Sequence, residues 1–179
     1  NEVGADFIGL DWYAAWGSPL ALTDSQIFAR VDHSPPAWKY GLIYLGDILE
    51  QINTLMTTYG KKLEIVLTET NYDATNGNSN VWEPSDTRGF EMFGASWYAY
   101  LLVHAIKYNI AVANFYCLYG PYGMMNFTQP NEWNGRLFPV YWTQYMFSRL
   151  VNKGDFIYDS TAMDSSVEVL ALANSTMYK

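Results

Sequence analysis

Leu63-Glu64-Ile65-Val66-Leu67-Thr68-Glu69 decides the fold: a short apolar run rich in β-branched residues, closed by a carboxylate and followed by the polar stretch Asn71 to Asn80. A run of that length and composition, bounded by a turn-rich segment, reads as a buried strand. Upstream of it, Trp38, Leu42, Leu45, Leu49, Ile52 and Met56 recur at helical spacing, with Pro35 behind Ser34 as a start signal and Gly60 as a stop. Further back, Ala5-Asp6-Phe7-Ile8-Gly9-Leu10-Asp11-Trp12-Tyr13 is a second apolar run that ends in polar and aromatic groups, and residues 14–34 read as a loop.

Downstream, Ser85 or Asp86 is placed to cap a helix carrying Phe90, Phe93, Trp97, Leu101 and Ile106, and Asn109 is placed to end it. Ile110 to Leu118 reads as a third strand, and a third helix starts near Pro139. Strands alternating with helices, with no hairpin signal between them, predict an α/β chain with a parallel sheet. Two later runs, Asp155 to Tyr158 and the alternating Val167 to Ala173, predict an antiparallel β region.

The 179 residues are 50% hydrophobic and 16% charged, which suits one globular unit rather than a disordered chain. Ten Lys and Arg against 18 Asp and Glu give a net charge of −8, which repels phosphate backbones and acidic membrane surfaces. No nucleic-acid partner is therefore expected. No apolar run approaches the roughly 20 residues a membrane-spanning helix needs, so no membrane role is expected. Cys117 is the one cysteine, and no CxxC or paired-His spacing suggests a metal site. Sequons at Asn126 and Asn174, with the acidic surface, point to an extracellular or secreted protein. Fifteen Tyr and seven Trp suit either a sugar-binding surface or an aromatic-rich core or partner interface.

In parallel βα folds ligands bind where strands end, because loops and helix N-termini converge there. That rule selects Asp11, Trp12 and Tyr13 from the first strand, Thr68, Glu69 and Asn71 from the second, and Asn114, Tyr116 and Tyr119 from the third. Glu69 is suited to nucleophilic attack, with Tyr13 the first candidate to hydrogen-bond and orient its carboxylate. The competing reading is a Glu that caps the next loop or makes a salt bridge. Trp82, Glu132 and Trp133 lie in loops where an indole either stacks on a sugar or pins the loop. His104 reads as a packed helix residue, His33 has no identifiable partner, and Cys117 reads as inert. Asn71, Asp73, Thr75 and Asn76 with Gly77 approach a calcium loop, but the Gly is misplaced and no closing Glu follows.

The segment Leu63 to Asn71 resembles the seventh strand of clan A glycoside hydrolases, where the nucleophilic Glu often follows Thr. Residues 5–13 are similar to the sixth strand, which carries a Tyr beside the nucleophile, and Ile110 to Tyr119 to the eighth. Phe138-Pro139-Val140-Tyr141-Trp142-Thr143-Gln144-Tyr145 through Gly154 looks like the last barrel helix of arabinofuranosidase- and xylosidase-like members, in which a β-sandwich follows. The resemblance implies the last three βα units of a TIM (β/α)₈ barrel over residues 1–154 and the start of a C-terminal β-sandwich over 155–179. It implies a retaining mechanism on an oligo- or polysaccharide, with Glu69 as nucleophile, Tyr13 beside it, and Asp11, Trp12, Asn71, Tyr116 and Trp133 as substrate contacts. No cofactor or metal is implied.

The family's acid/base Glu follows an Asn at the end of the fourth strand, so it is expected outside this chain, on the remaining N-terminal barrel segment or a partner chain. Asn1-Glu2 has the right letters but runs straight into a strand. Asp11-Trp12 also stands where many clan members have a His. The alternative is a non-catalytic carbohydrate-binding or structural subunit that keeps the barrel shape without the acid/base.

Overall fold

A computed structural model of the chain describes residues 4–15, 21–35, 43–73, 86–118, 123–125, 136–158, 160–164 and 167–174. Strands β1 (Phe7–Tyr13), β2 (Glu64–Asn71) and β3 (Val112–Phe115) form a parallel sheet in the order β1-β2-β3. Around it stand α1 (Asp24–Ala29), α2 (Leu45–Thr58), α3 (Met92–Lys107) and α4 (Pro139–Leu150). Beyond α4, β4 (Phe156–Tyr158) and β5 (Ala171–Ala173) pair antiparallel. The mixed α/β class and the parallel sheet agree with the pattern in the sequence.

Helix α2 begins at Leu45, where the preceding Tyr44 is extended (φ −88°, ψ 122°), and Trp38 and Leu42 of the expected helical stripe lie outside the described residues. The stretch 14–34 also contains a helix. Thr23 caps it: its Oγ1 accepts the Gln26 N–H, and the Gln26 side chain accepts the Thr23 N–H in return. Such a reciprocal cap satisfies two otherwise orphaned donors and stabilises even a six-residue helix. The two expected stops do end their helices, each with a left-handed residue that no ordinary side chain favours: Gly60 (φ 61°) after α2 and Asn109 (φ 57°) after α3.

One face of the sheet packs against the helices. Trp12, Ile65 and Leu67 are buried there with Leu45 and Leu49 of α2 and Trp97, Tyr98 and Leu101 of α3. Helix α3 is buried on most of its surface, and His104 is among its buried residues, against the rings of Tyr100 and Tyr108. His104 is thus a packed helix residue, as expected, and burial lowers its pKa from the ordinary value. The opposite face is open in this chain: Phe7 is 57% and Val112 45% exposed, and Gly9, Asp11, Thr68 and Asn114 are exposed beside them.

The entrance to α3 is fixed by Arg88. Its guanidinium holds buried Asp86 at 2.6 Å and Asp24 at 2.6 Å, and lies over the Phe93 ring. The 3₁₀ turn Arg88–Phe90 then passes so close to α3 that a Cβ on Gly94 would lie 2.4 Å from the Gly89 carbonyl oxygen. Alanine gains roughly 1 kcal/mol over glycine in helix propensity, but overpacking a close-packed site costs about 1–3 kcal/mol, and here the obstacle is backbone. Gly94→Ala is therefore expected to lower the urea midpoint without changing the slope; an unchanged or raised midpoint would contradict the close approach.

Candidate active site

The strand pairing shows how Glu69 reaches the open face. Leu10 pairs with Leu67, yet Asp11 pairs with Glu69, so β1 advances one residue while β2 advances two. On the other side Leu67 pairs with Ala113 and Thr70 with Phe115, so β2 advances three residues while β3 advances two. β2 thus carries one extra residue at Thr68–Glu69 relative to both neighbours, which is a β-bulge. Strict alternation would send Glu69 into the helix layer behind Ile65 and Leu67. The bulge keeps both Thr68 and Glu69 on the open side, and Thr70, fully buried opposite Trp12, resumes the core.

On that side the Tyr13 hydroxyl donates to Glu69 Oε2 at 2.8 Å. Tyr13 is buried, and burial first, then the hydrogen bond and the charge of Glu69, push its pKa well above the ordinary phenol value. The phenol therefore keeps its proton and acts as a fixed donor. The bond fixes Oε2 and limits rotation of the carboxylate. Tyr116 packs edge-on against Tyr13, with centroids 6.4 Å apart, and remains 44% exposed. Asp11 is exposed on the same side and accepts a 2.5 Å hydrogen bond from Thr68 Oγ1.

Asn71, expected among the substrate contacts, is buried beneath the strand ends. It is 2% exposed, its Nδ2 donates to the Tyr116 carbonyl at 2.6 Å, and its Oδ1 accepts the Tyr72 N–H at 2.7 Å. It ties the end of β2 to the chain leaving β3 and so sets where Tyr116 meets Tyr13. Trp12 is not brought to the mouth: its indole stacks on Trp97 at 6.2 Å and its N–H donates to the Ile43 carbonyl. Of the residues named in the calcium-loop pattern, Asn71 and Asp73 are buried and Thr75 to Gly77 lie outside the described residues. Tyr119, Trp82, Glu132 and Trp133 also lie outside them.

Sequence reasoning missed Thr68 as a partner of Asp11, because the bulge that aligns them leaves no mark in the alternation. It also missed the surroundings of His33, whose Nδ1 lies 3.0 Å from Asp47 Oδ1 and 4.0 Å from Glu50 Oε2. Asp47 and Glu50 are three apart on α2, a spacing that puts them on one helix face, but the loop that delivers His33 to them is set by tertiary packing.

No model of a known protein family matches the chain, and no curated protein sequence matches it.

Removing the Asn71 amide would orphan a buried N–H and a carbonyl, each costing about 1–3 kcal/mol. Asn71→Ala is expected to destabilise the chain by about 2 kcal/mol or more and to change the near-ultraviolet dichroism from the Tyr13–Tyr116 contact. A loss below about 0.5 kcal/mol, in the range of ordinary surface substitutions, would show that the tie contributes nothing.

Proposed function

We propose that this chain is part of a retaining glycoside hydrolase acting on an oligo- or polysaccharide, with Glu69 as the nucleophile. The observation that carries this reading is the 2.8 Å Tyr13–Glu69 hydrogen bond at the C-terminal ends of two adjacent parallel strands. A bulge that turns a carboxylate outward, and a buried phenol that clamps one of its oxygens, have little use in a sheet that merely packs. They suit a carboxylate that must present one oxygen in a fixed direction.

In this reading the three parallel strands are the last three βα units of a (β/α)₈ barrel, and β4 and β5 begin a β-sandwich. The open face supports it, since parallel sheets are ordinarily covered on both sides and Phe7 and Val112 leave apolar surface for the rest of a barrel to bury. Glu69 Oε1 attacks the anomeric carbon while an acid/base Glu from outside these residues protonates the leaving oxygen. That same Glu then activates the water that hydrolyses the glycosyl-enzyme ester. Tyr13 holds the carboxylate on its trajectory in the first step and, by donating its hydrogen bond, stabilises the charge that returns to Glu69 in the second. Tyr116 and Asp11 border the sugar site, and Asn71 positions Tyr116. An extracellular location of the enzyme fits its net charge of −8 and the sequons at Asn126 and Asn174.

Steady-state kinetics of the assembled enzyme on a panel of aryl glycosides test this. Glu69→Ala is expected to lose at least about 10³-fold in kcat and to recover turnover with azide, which enters the vacated space and yields a glycosyl azide. Tyr13→Phe is expected to lower kcat about 10–100-fold with KM nearly unchanged, because it frees the carboxylate without touching substrate. Full activity of Glu69→Ala would overturn the assignment, and a folded assembly that binds sugars without turnover would favour the non-catalytic subunit.

A further inference from the structure

Away from the strand ends, the loop 31–35 folds over the first turns of α2, and three side chains of different origin converge there. His33 comes from the loop, and Asp47 and Glu50 from one face of the helix; one donor atom of each lies within 4.8 Å of the others. They open onto a groove of about 1160 Å³ along α2, also lined by Ser34, Asn53 and Tyr108. We propose that His33, Asp47 and Glu50 form a binding site for a divalent cation of the zinc class, which fastens this loop to α2.

The donor set is one imidazole and two carboxylates, the nitrogen and oxygen ligands that zinc takes. Ligand atoms about 2.0–2.1 Å from a tetrahedral centre stand roughly 3.3–3.4 Å from one another. The 3.0 Å His33–Asp47 and 4.0 Å His33–Glu50 separations lie on either side of that value, so rotation of the exposed Glu50 side chain closes the set without moving backbone. The fourth position faces the groove and is left to water.

The surroundings orient these groups. The Ser34 N–H donates to both oxygens of Asp47, at 3.3 and 3.2 Å. The ring of Tyr108 stands edge-on to His33 at 6.2 Å, and its hydroxyl donates to Asp32 Oδ1 of the same loop. The helix makes room for the loop at Gly46, where a Cβ would lie 3.0 Å from the Asp32 carbonyl group and 3.0 Å from the His33 ring. Outer partners of this kind raise metal affinity by holding ligands in place before the ion arrives. Binding needs the Nδ1 lone pair, with the ring proton on Nε2, a tautomer open to a half-exposed imidazole.

The test is calorimetric titration of Zn²⁺ into the full chain stripped with chelator, repeated with His33→Ala, Glu50→Gln and Cys117→Ser. One equivalent is expected to bind the parent chain and Cys117→Ser alike, to raise Tm, and to bind at least about tenfold more weakly to either ligand variant. Because the Glu50 side chain is exposed, Glu50→Gln stays folded and decides the matter if His33→Ala does not. Co²⁺ in place of Zn²⁺ is expected to give visible bands without sulfur charge transfer. Absence of saturable binding, equal affinity in the ligand variants, or loss of binding in Cys117→Ser would overturn the proposal.

Discussion

The extra residue in β2 is the constraint on which the site depends. A strand with strict period-two alternation has room for Leu67 in the core or Glu69 on the open face, but not both in sequence two residues apart. The bulge at Thr68–Glu69 resolves the conflict locally, and neither neighbour shares it: β1 and β3 each pass it with one residue fewer. Bulges cost pairing, and one retained in the central strand of a three-stranded sheet is maintained by what surrounds it. Here the Thr68–Asp11 and Glu69–Tyr13 hydrogen bonds reach across to β1 on the bulged side, so the displaced residues are tied down rather than frayed.

Everything behind the sheet serves to keep that end rigid. Trp12, which the strand sends inward between Asp11 and Tyr13, stacks on Trp97 of α3, and Tyr72 beyond the end of β2 lies against the same indole. Tyr72 in turn accepts the Gly89 N–H and donates to the Asp86 carbonyl, linking the strand end to the turn that Arg88 holds. From Asn71 through Tyr72 and Asp86 to Arg88, buried or half-buried hydrogen bonds run without a break. A carboxylate on such a frame loses little rotational freedom when it meets a ligand.

The sequence carried the elements better than the register. Leu63 to Thr68, Phe7 to Leu10 and the Pro139 helix were legible because their composition and punctuation agree with the structure they adopt. So was the Tyr13–Glu69 pairing, since both residues stand at strand ends that a parallel sheet brings together. The role of Trp12 was not legible: an indole next to Asp11 reads as a surface stacker until alternation is anchored by a known neighbour, and only the pairing with Thr70 shows that it points inward. Asn71 was expected at the ligand mouth from its place at a strand end; what the sequence does not reveal is that its Nδ2 bonds the Tyr116 carbonyl and its Oδ1 the Tyr72 N–H. The start of α2 is set by a tertiary contact that the periodicity does not record: the Leu45 N–H donates to the Arg30 carbonyl, while the Arg30 guanidinium donates to the Ala14 carbonyl.

The most direct test of the proposed nucleophile is mass spectrometry of the native preparation after reaction with 2-fluoro glycosides that would accumulate a glycosyl-enzyme, followed by peptide mapping. Double displacement through Glu69 predicts a single added sugar mass carried by the peptide containing Leu67 to Asn71, and its absence when Tyr13 and Glu69 are intact but the protein is unfolded first. A label on another carboxylate, or no label from a varied panel on a native assembly that turns over glycosides, would contradict it.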